Sequence, residues 1–175
     1  MGTSSAALFK DGILVAAVEE ERLTRIKNDN NFPHCAINEV LDIEGINLLD
    51  VKQVAVYWQP WRIFTRGIGT SKKLLTSSNS RKNISKRIRE VFVSSQHNNS
   101  GSWSDLFFIR KLLQEKHGIF NGKIYFYDHH NTHQKYGELI KNWDNCISLS
   151  YDGGGESDST VLSVIINQKR KIILK

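Results

Sequence analysis

Four absences narrow what this 175-residue chain can be. Cysteine is scarce: Cys35 and Cys146 lie far apart and form no Cys-x-x-Cys pair. That usage fits a reduced cytosolic protein with both thiols buried. No apolar run approaches the ~18 residues of a membrane span. No signal peptide is legible, because the start Met-Gly-Thr-Ser-Ser is small and polar and Glu19, Glu20 and Glu21 follow soon after. Met1-Gly2, with Ser5 and Ala6 behind it, gives no myristoylation context either. The expectation is a soluble, cytoplasmic protein. The fourth absence is local: from Arg62 to Arg89 there is no Asp or Glu, against nine Lys or Arg.

That segment explains the net charge of +6 and a pI near 9.3. A basic balance invites a nucleic-acid or other anionic partner, but the excess sits in one stretch rather than on a uniform face. Trp58, Trp61 and Phe64 are interleaved aromatics of the kind single-strand binders use. No RNA-binding signature accompanies them, so a solvated or lid-like segment is the favoured reading over nucleic acid. With 39% hydrophobic and 24% charged residues the chain has enough apolar content for a core. Its mass of 20.0 kDa fits one domain or a piece of a larger one.

Apolar stretches on either side of Lys10-Asp11-Gly12 predict a β-hairpin over 4–18, since Asp-Gly is a tight-turn signal. Glu19 to Lys27 reads as a charged exit from that sheet. Pro33 opens a helix through Ala36, Ile37, Val40 and Leu41, and Gly45 ends it. A strand is expected over 53–58. From Pro60 to about Ser102 the chain is polar and basic, with an amphipathic hint at Ile84, Ile88, Val91 and Phe92 and a loop over 94–102. A helix over 106–116 with Gly118 as its stop, a strand over 123–127 and a strand over 147–151 follow. A second hairpin, 160–166 and 171–174, turns at Asn167-Gln168. The two hairpins echo each other, and paired hairpins of this kind suggest the actin-like architecture of two similar α/β halves.

The chemistry concentrates in two places. Asp128-His129-His130-Asn131-Thr132-His133 offers imidazoles at i and i+4, His129 and His133, which a helix places on one face. Tyr151-Asp152-Gly153-Gly154-Gly155-Glu156 puts a carboxylate at a strand end before a glycine run. Two imidazoles and an acid are three ligands for a divalent ion. Iron or manganese suits such nitrogen and oxygen donors in an open geometry, with zinc as an alternative. Gly153, Gly154 and Gly155 free backbone N–H groups to approach a phosphate. The bland alternatives are a polar helix face for the histidines and a tight turn for the glycines. His130 is rotated ~100° around the helix from His129, which makes it a supporting or substrate-facing group. Asp128 reads as an N-cap, or as a carboxylate that orients an imidazole. Glu19, Glu20, Glu21, Arg22 and Arg25 read as a solvated strand end. His34, His97 and His117 read as isolated structural or exposed residues.

Several of these pieces occur together in one family. Ser5-Ala6-Ala7-Leu8 with Asp11-Gly12, then Val18-Glu19-Glu20-Glu21-Arg22-Leu23-Thr24-Arg25, Phe32-Pro33, Asp128-His129-His130 with His133, and Asp152-Gly153 resemble the N-terminal domain of the nodulation-protein and cephem-type O-carbamoyltransferases. The combination is far more specific than any element and covers most of 4–175, with 60–102 as a variable insertion. The resemblance implies an α/β, actin-like ATPase (ribonuclease H-like) fold, a mixed sheet with flanking helices. It implies transfer of a carbamoyl group from carbamoyl phosphate, through an ATP-derived carbamoyl-adenylate, to a hydroxyl of a sugar or other small molecule. It makes His129, His133 and Asp152 metal ligands and brings Glu19–Arg25 near the substrate cleft.

The sequence departs from the family pattern in three places. Met1-Gly2-Thr3 stands where the family has a further strand and a histidine loop, and Gln134-Lys135-Tyr136 replaces small residues. The chain also stops after the second hairpin. It therefore reads as a partial domain, 1–175, and the family's activity is expected of a longer relative rather than of this piece alone. An unpaired sheet edge in such a piece would favour homo-oligomers. Two rival readings remain: half of an actin-like ATP-dependent phosphotransferase or sugar kinase, and a non-catalytic binding fragment.

Overall fold

A computed structural model of the protein describes residues 3–62, 103–141, 143–152 and 158–175. The expected amphipathic helix at Ile84–Phe92, the loop over 94–102, Phe64 and His97 lie outside the described residues, as do Gly153, Gly154 and Gly155. The chain divides into two compact units. Described residues 3–54 and 103–124 belong to the first; 55–62 and those from Tyr125 onward belong to the second.

The first unit opens with β1 (Ser5–Lys10) and β2 (Ile13–Glu19), an antiparallel pair. Asp11 and Gly12, with φ of 52° and 81°, supply the two consecutive left-handed residues of a tight hairpin turn. The charged exit from β2 is a short helix, α1 (Glu20–Thr24), not extended chain. Its cause is Glu20, which is buried and accepts the N–H groups of Cys35 at 3.0 Å and Ala36 at 2.7 Å. Those amides open α2 (His34–Glu44), whose N-cap Pro33 has no side-chain acceptor to offer them. Glu20 thus caps a helix from fourteen or more residues away in sequence. Gly45 (φ 68°) closes α2: its N–H reaches Asp42 and that of Ile46 reaches Leu41.

Ala36, Val40 and Leu41 turn inward, and Leu48, Ile109, Leu113 and Phe120 are buried within the same unit. A 3-10 turn (Trp103–Phe108) precedes α3 (Ile109–His117). The expected helix over 106–116 is thus α-helical only from Ile109. Two expectations fail here. Cys35 is exposed, because the next residue, Ala36, faces the core in its place. His34 and His117 are not isolated: His34 Nδ1 lies 2.9 Å from His117 Nε2, and His117 Nδ1 lies 2.6 Å from Asn38 Oδ1.

β3 (Gln53–Val56) and β4 (Lys123–Phe126) form a two-stranded sheet. Lys123 donates to the Lys52 carbonyl at 3.0 Å and Tyr127 to that of Val56 at 2.8 Å, so the strands run parallel. In the second unit β4 leads into α4 (His129–Lys141), then β5 (Cys146–Tyr151), β6 (Thr160–Ile166) and β7 (Lys169–Leu174). These last three form an antiparallel sheet in sequence order. The β6–β7 turn again uses two left-handed residues, Asn167 (φ 49°) and Gln168 (φ 62°). The α/β class holds, with strands in three small sheets among the described residues. No helix among these residues is long and apolar enough to cross a membrane.

Candidate metal centre

Strand β4 ends one residue before the histidine motif, and Asp128 starts the helix. Its carboxylate accepts the Asn131 N–H at 2.8 Å and pairs with Arg62 at 2.8 Å, so it is the N-cap the sequence suggests. From that fixed start His129 and His133 fall on one face of α4. Strand β5 brings Asp152 to the same place.

The three ligand atoms converge. His129 Nε2 lies 2.7 Å from Asp152 Oδ2 and 3.2 Å from His133 Nε2, and His133 Nε2 lies 3.7 Å from Asp152 Oδ2. Ligands bound about 2.1 Å from one ion stand roughly 3.0 Å apart at a right angle and roughly 3.4 Å apart at the tetrahedral angle. The observed triangle brackets those separations. Among the described residues it is the one group of three or more His, Cys, Asp or Glu side chains with metal-binding spacing.

The burial is graded. His129 is 7% exposed, whereas the side chains of Asp152 and His133 are 38% and 51% exposed, leaving one open side to the triangle. Without an ion, His129 donates its Nε2 proton to Asp152. Its Nδ1 is buried and has no hydrogen-bond partner among the described residues. An ion held at Nε2 would leave Nδ1 unpartnered as well, so this buried atom costs about 1–3 kcal/mol in either state. Nitrogen and oxygen donors of this set, two neutral imidazoles and a carboxylate with an open face, fit a divalent transition ion.

His130 is not part of the triangle. Its Nε2–H donates to the Asp158 carbonyl at 2.7 Å, so its Nδ1 accepts from the Ser150 hydroxyl, also at 2.7 Å. It ties α4 to the β5–β6 hairpin. Gln134 does the same one turn on. Its amide donates to the Ser148 and Val161 carbonyls at 3.1 and 2.9 Å and accepts from Ser163 at 2.9 Å. His130, Gln134, Ser150 and Ser163 are all buried. These polar ties set the depth of the helix against the sheet, and through it the height of His129 and His133 relative to Asp152. Sequence reasoning met Gln134 only as a departure from the family pattern and passed over the serines. Their signal was the alternation of small polar residues at 146, 148 and 150 opposite a helix rich in polar side chains.

Trp58, read from the sequence only as one of the interleaved aromatics, also stands at the site. Its indole stacks on the His129 imidazole, with centroids 4.5 Å apart and planes 19° from parallel. Tyr57 lies 5.6 Å from the same imidazole. Glu20, expected at a solvated strand end, is instead buried at the N-terminus of α2.

The chain is 28% identical over 166 residues to the nodulation protein NolNO of Sinorhizobium fredii, an alignment covering 94% of this chain and 21% of that protein. It is 48% identical over 67 residues to an uncharacterized protein of Synechocystis sp., covering 38% of this chain and 11% of the other. It is 40% identical over 57 residues to an uncharacterized 19.2 kDa protein of Rhizobium etli, a third of each chain. The chain thus spans about a fifth of the length of its nodulation-protein relative. Residues 2–170 match the family described as the carbamoyltransferase N-terminus. With nearly its whole length matched, this chain belongs to that carbamoyltransferase N-terminal family.

Proposed function

We propose that the chain is the N-terminal part of a carbamoyltransferase and that His129, His133 and Asp152 hold a divalent metal ion in it. The observation that carries this is the ligand triangle, found in a member of this family at the residues that bear metal-type donors. In the proposed reaction water cleaves carbamoyl phosphate to carbamate and inorganic phosphate, and a carbamate oxygen attacks the α-phosphorus of ATP, giving a carbamoyl-adenylate as pyrophosphate leaves. A hydroxyl of a small acceptor attacks the carbamoyl carbon, the carbon–oxygen bond to the phosphate breaks, and AMP leaves with the electron pair. A bound iron or manganese ion, or zinc, would neutralise charge building on the phosphate oxygens.

The chain's own residues supply the frame. Asp128 and Arg62 fix the start of α4, and His130 and Gln134 fix its depth. The glycines 153–155 follow Asp152 directly in sequence. Their N–H groups would cradle the phosphate beside the ion. Hairpins β1–β2 and β6–β7, built alike around paired left-handed turn residues, support an actin-like arrangement in which each opens one half.

Elemental analysis of the purified protein tests the metal reading. Near-stoichiometric iron, manganese or zinc is expected, and His129→Ala and Asp152→Asn should each remove most of it. Equal metal content in wild type and His129→Ala contradicts the assignment. A metal-free protein that still binds Mg-ATP favours a kinase-like half instead.

A further inference from the structure

We propose that Trp58 is a positioning residue for the metal ligand His129, its indole face holding the imidazole plane on the line to Asp152 and His133. The inference rests on the metal-binding reading above but comes from a different observation, the stack itself.

The geometry follows from strand register. Tyr127 donates to the Val56 carbonyl, so in this parallel pair the residues two positions further on, Trp58 and His129, leave their strands side by side. Trp58 is 8% exposed and His129 7%, so the stack is sealed from water. An imidazole turns about its last side-chain bond in a broad, soft potential. Against a parallel indole 4.5 Å away, a partial turn drives the ring edge into the indole. The ring is left with the plane that carries Nε2 toward Asp152 Oδ2, 2.7 Å off.

His129 particularly needs such a support. A metal-ligating histidine usually has its second ring nitrogen held by a carbonyl or carboxylate. Nδ1 of His129 is buried and has no such partner among the described residues. The orienting role that a hydrogen bond would play falls to the aromatic face. An imidazole polarised by a bound cation also gains from an electron-rich indole beneath it.

Two measurements on the purified chain test this. The first is Co2+ titration followed by its visible absorption, in wild type, Trp58→Leu, Trp58→Phe and His129→Ala. Leu fills the apolar space without a planar face, and Phe restores one. Trp58→Leu should weaken Co2+ binding about 10- to 100-fold, the range typical of lost ligand-orienting contacts, and alter the band shape. Trp58→Phe should recover to within a few-fold of wild type. The second is the NMR position of the carbon-bound ring protons of His129 without metal. The indole should shift them upfield, and Trp58→Leu should release them.

Wild-type affinity in Trp58→Leu overturns the proposal, as does equal weakening by Leu and Phe, which marks mere packing. If wild type and His129→Ala bind Co2+ alike while the ring-current shift is present, the metal reading has failed. The stack then exists with no ligand to position, and the proposal falls with that reading.

Discussion

At the scale of single residues, this structure is decided by where polar side chains are buried. Glu20 is 3% exposed, and its carboxylate is the partner of two amides at the start of α2. Hydrogen bonds to an ionised acceptor contribute about 1.5–3 kcal/mol. Glu20→Ala is therefore expected to lower unfolding stability by about 2–3 kcal/mol, read as a shift of the urea midpoint. Glu20→Gln should lose less, since one oxygen remains to accept.

The His34–His117 pair gives a pH dependence. Burial, reinforced by Lys116, holds His34 below its ordinary value of 6.5; Glu20 and Glu115 oppose this more weakly. Burial, then His34 and Lys116, lowers His117 in the same way, again against Glu20. The unfolded chain then takes up protons before the folded one does. The stability contributed by the neutral pair is present above 6.5 and is lost as pH falls through 6.5 toward the lowered folded-state values. The thermal midpoint should drop between about pH 7 and pH 5. The double variant His34→Gln/His117→Gln should show a shallower drop; an unchanged slope would remove this pair from the account.

At the scale of elements, the turns and caps were legible and the faces were not. Asp11-Gly12, Gly45 and Asp128 announce themselves because a left-handed backbone or an N-cap selects among few residue types. Strand β5 shows the opposite case. Its apolar set Ile147, Leu149 and Tyr151 is 72%, 64% and 83% exposed, while Ser150 is buried against α4. Alternation predicts the strand, but it would bury the other face. The small serines win because the buried groups of α4, His130 and Gln134, need hydrogen-bond partners and close approach. Helix α1 was unreadable for a similar reason. Its purpose is to carry Glu20 to a partner distant in sequence, and no local pattern encodes that.

The same element logic yields a test of α4. Asp128→Ala removes both the cap on Asn131 and the pairing with Arg62. A lost cap costs about 1 kcal/mol, seen as a lower unfolding midpoint. Because His129 and His133 lie in the first turns of that helix, metal affinity should fall as well. A stability loss with unchanged metal affinity would show that the ligands do not depend on the cap.

At the scale of the whole molecule, the convergence of His129, His133 and Asp152 was legible because His129 opens α4, His133 follows one turn later and Asp152 directly follows β5. What the sequence could not show was the support around them. Trp58 is distant in sequence from His129 and meets it only through the parallel pairing of β3 with β4. The residues of the convergent triangle lie within the stretch that matches the family. An ion bound by the folded chain and not by the unfolded one raises stability by mass action. A chelator should therefore lower the melting temperature of wild type and leave that of His129→Ala unmoved.

The sharpest test is anomalous diffraction from crystals of the protein grown with Mn2+. The account predicts a single strong peak about 2.0–2.3 Å from His129 Nε2, His133 Nε2 and an Asp152 oxygen at once. A peak elsewhere, or no peak while the three side chains point apart, would contradict it.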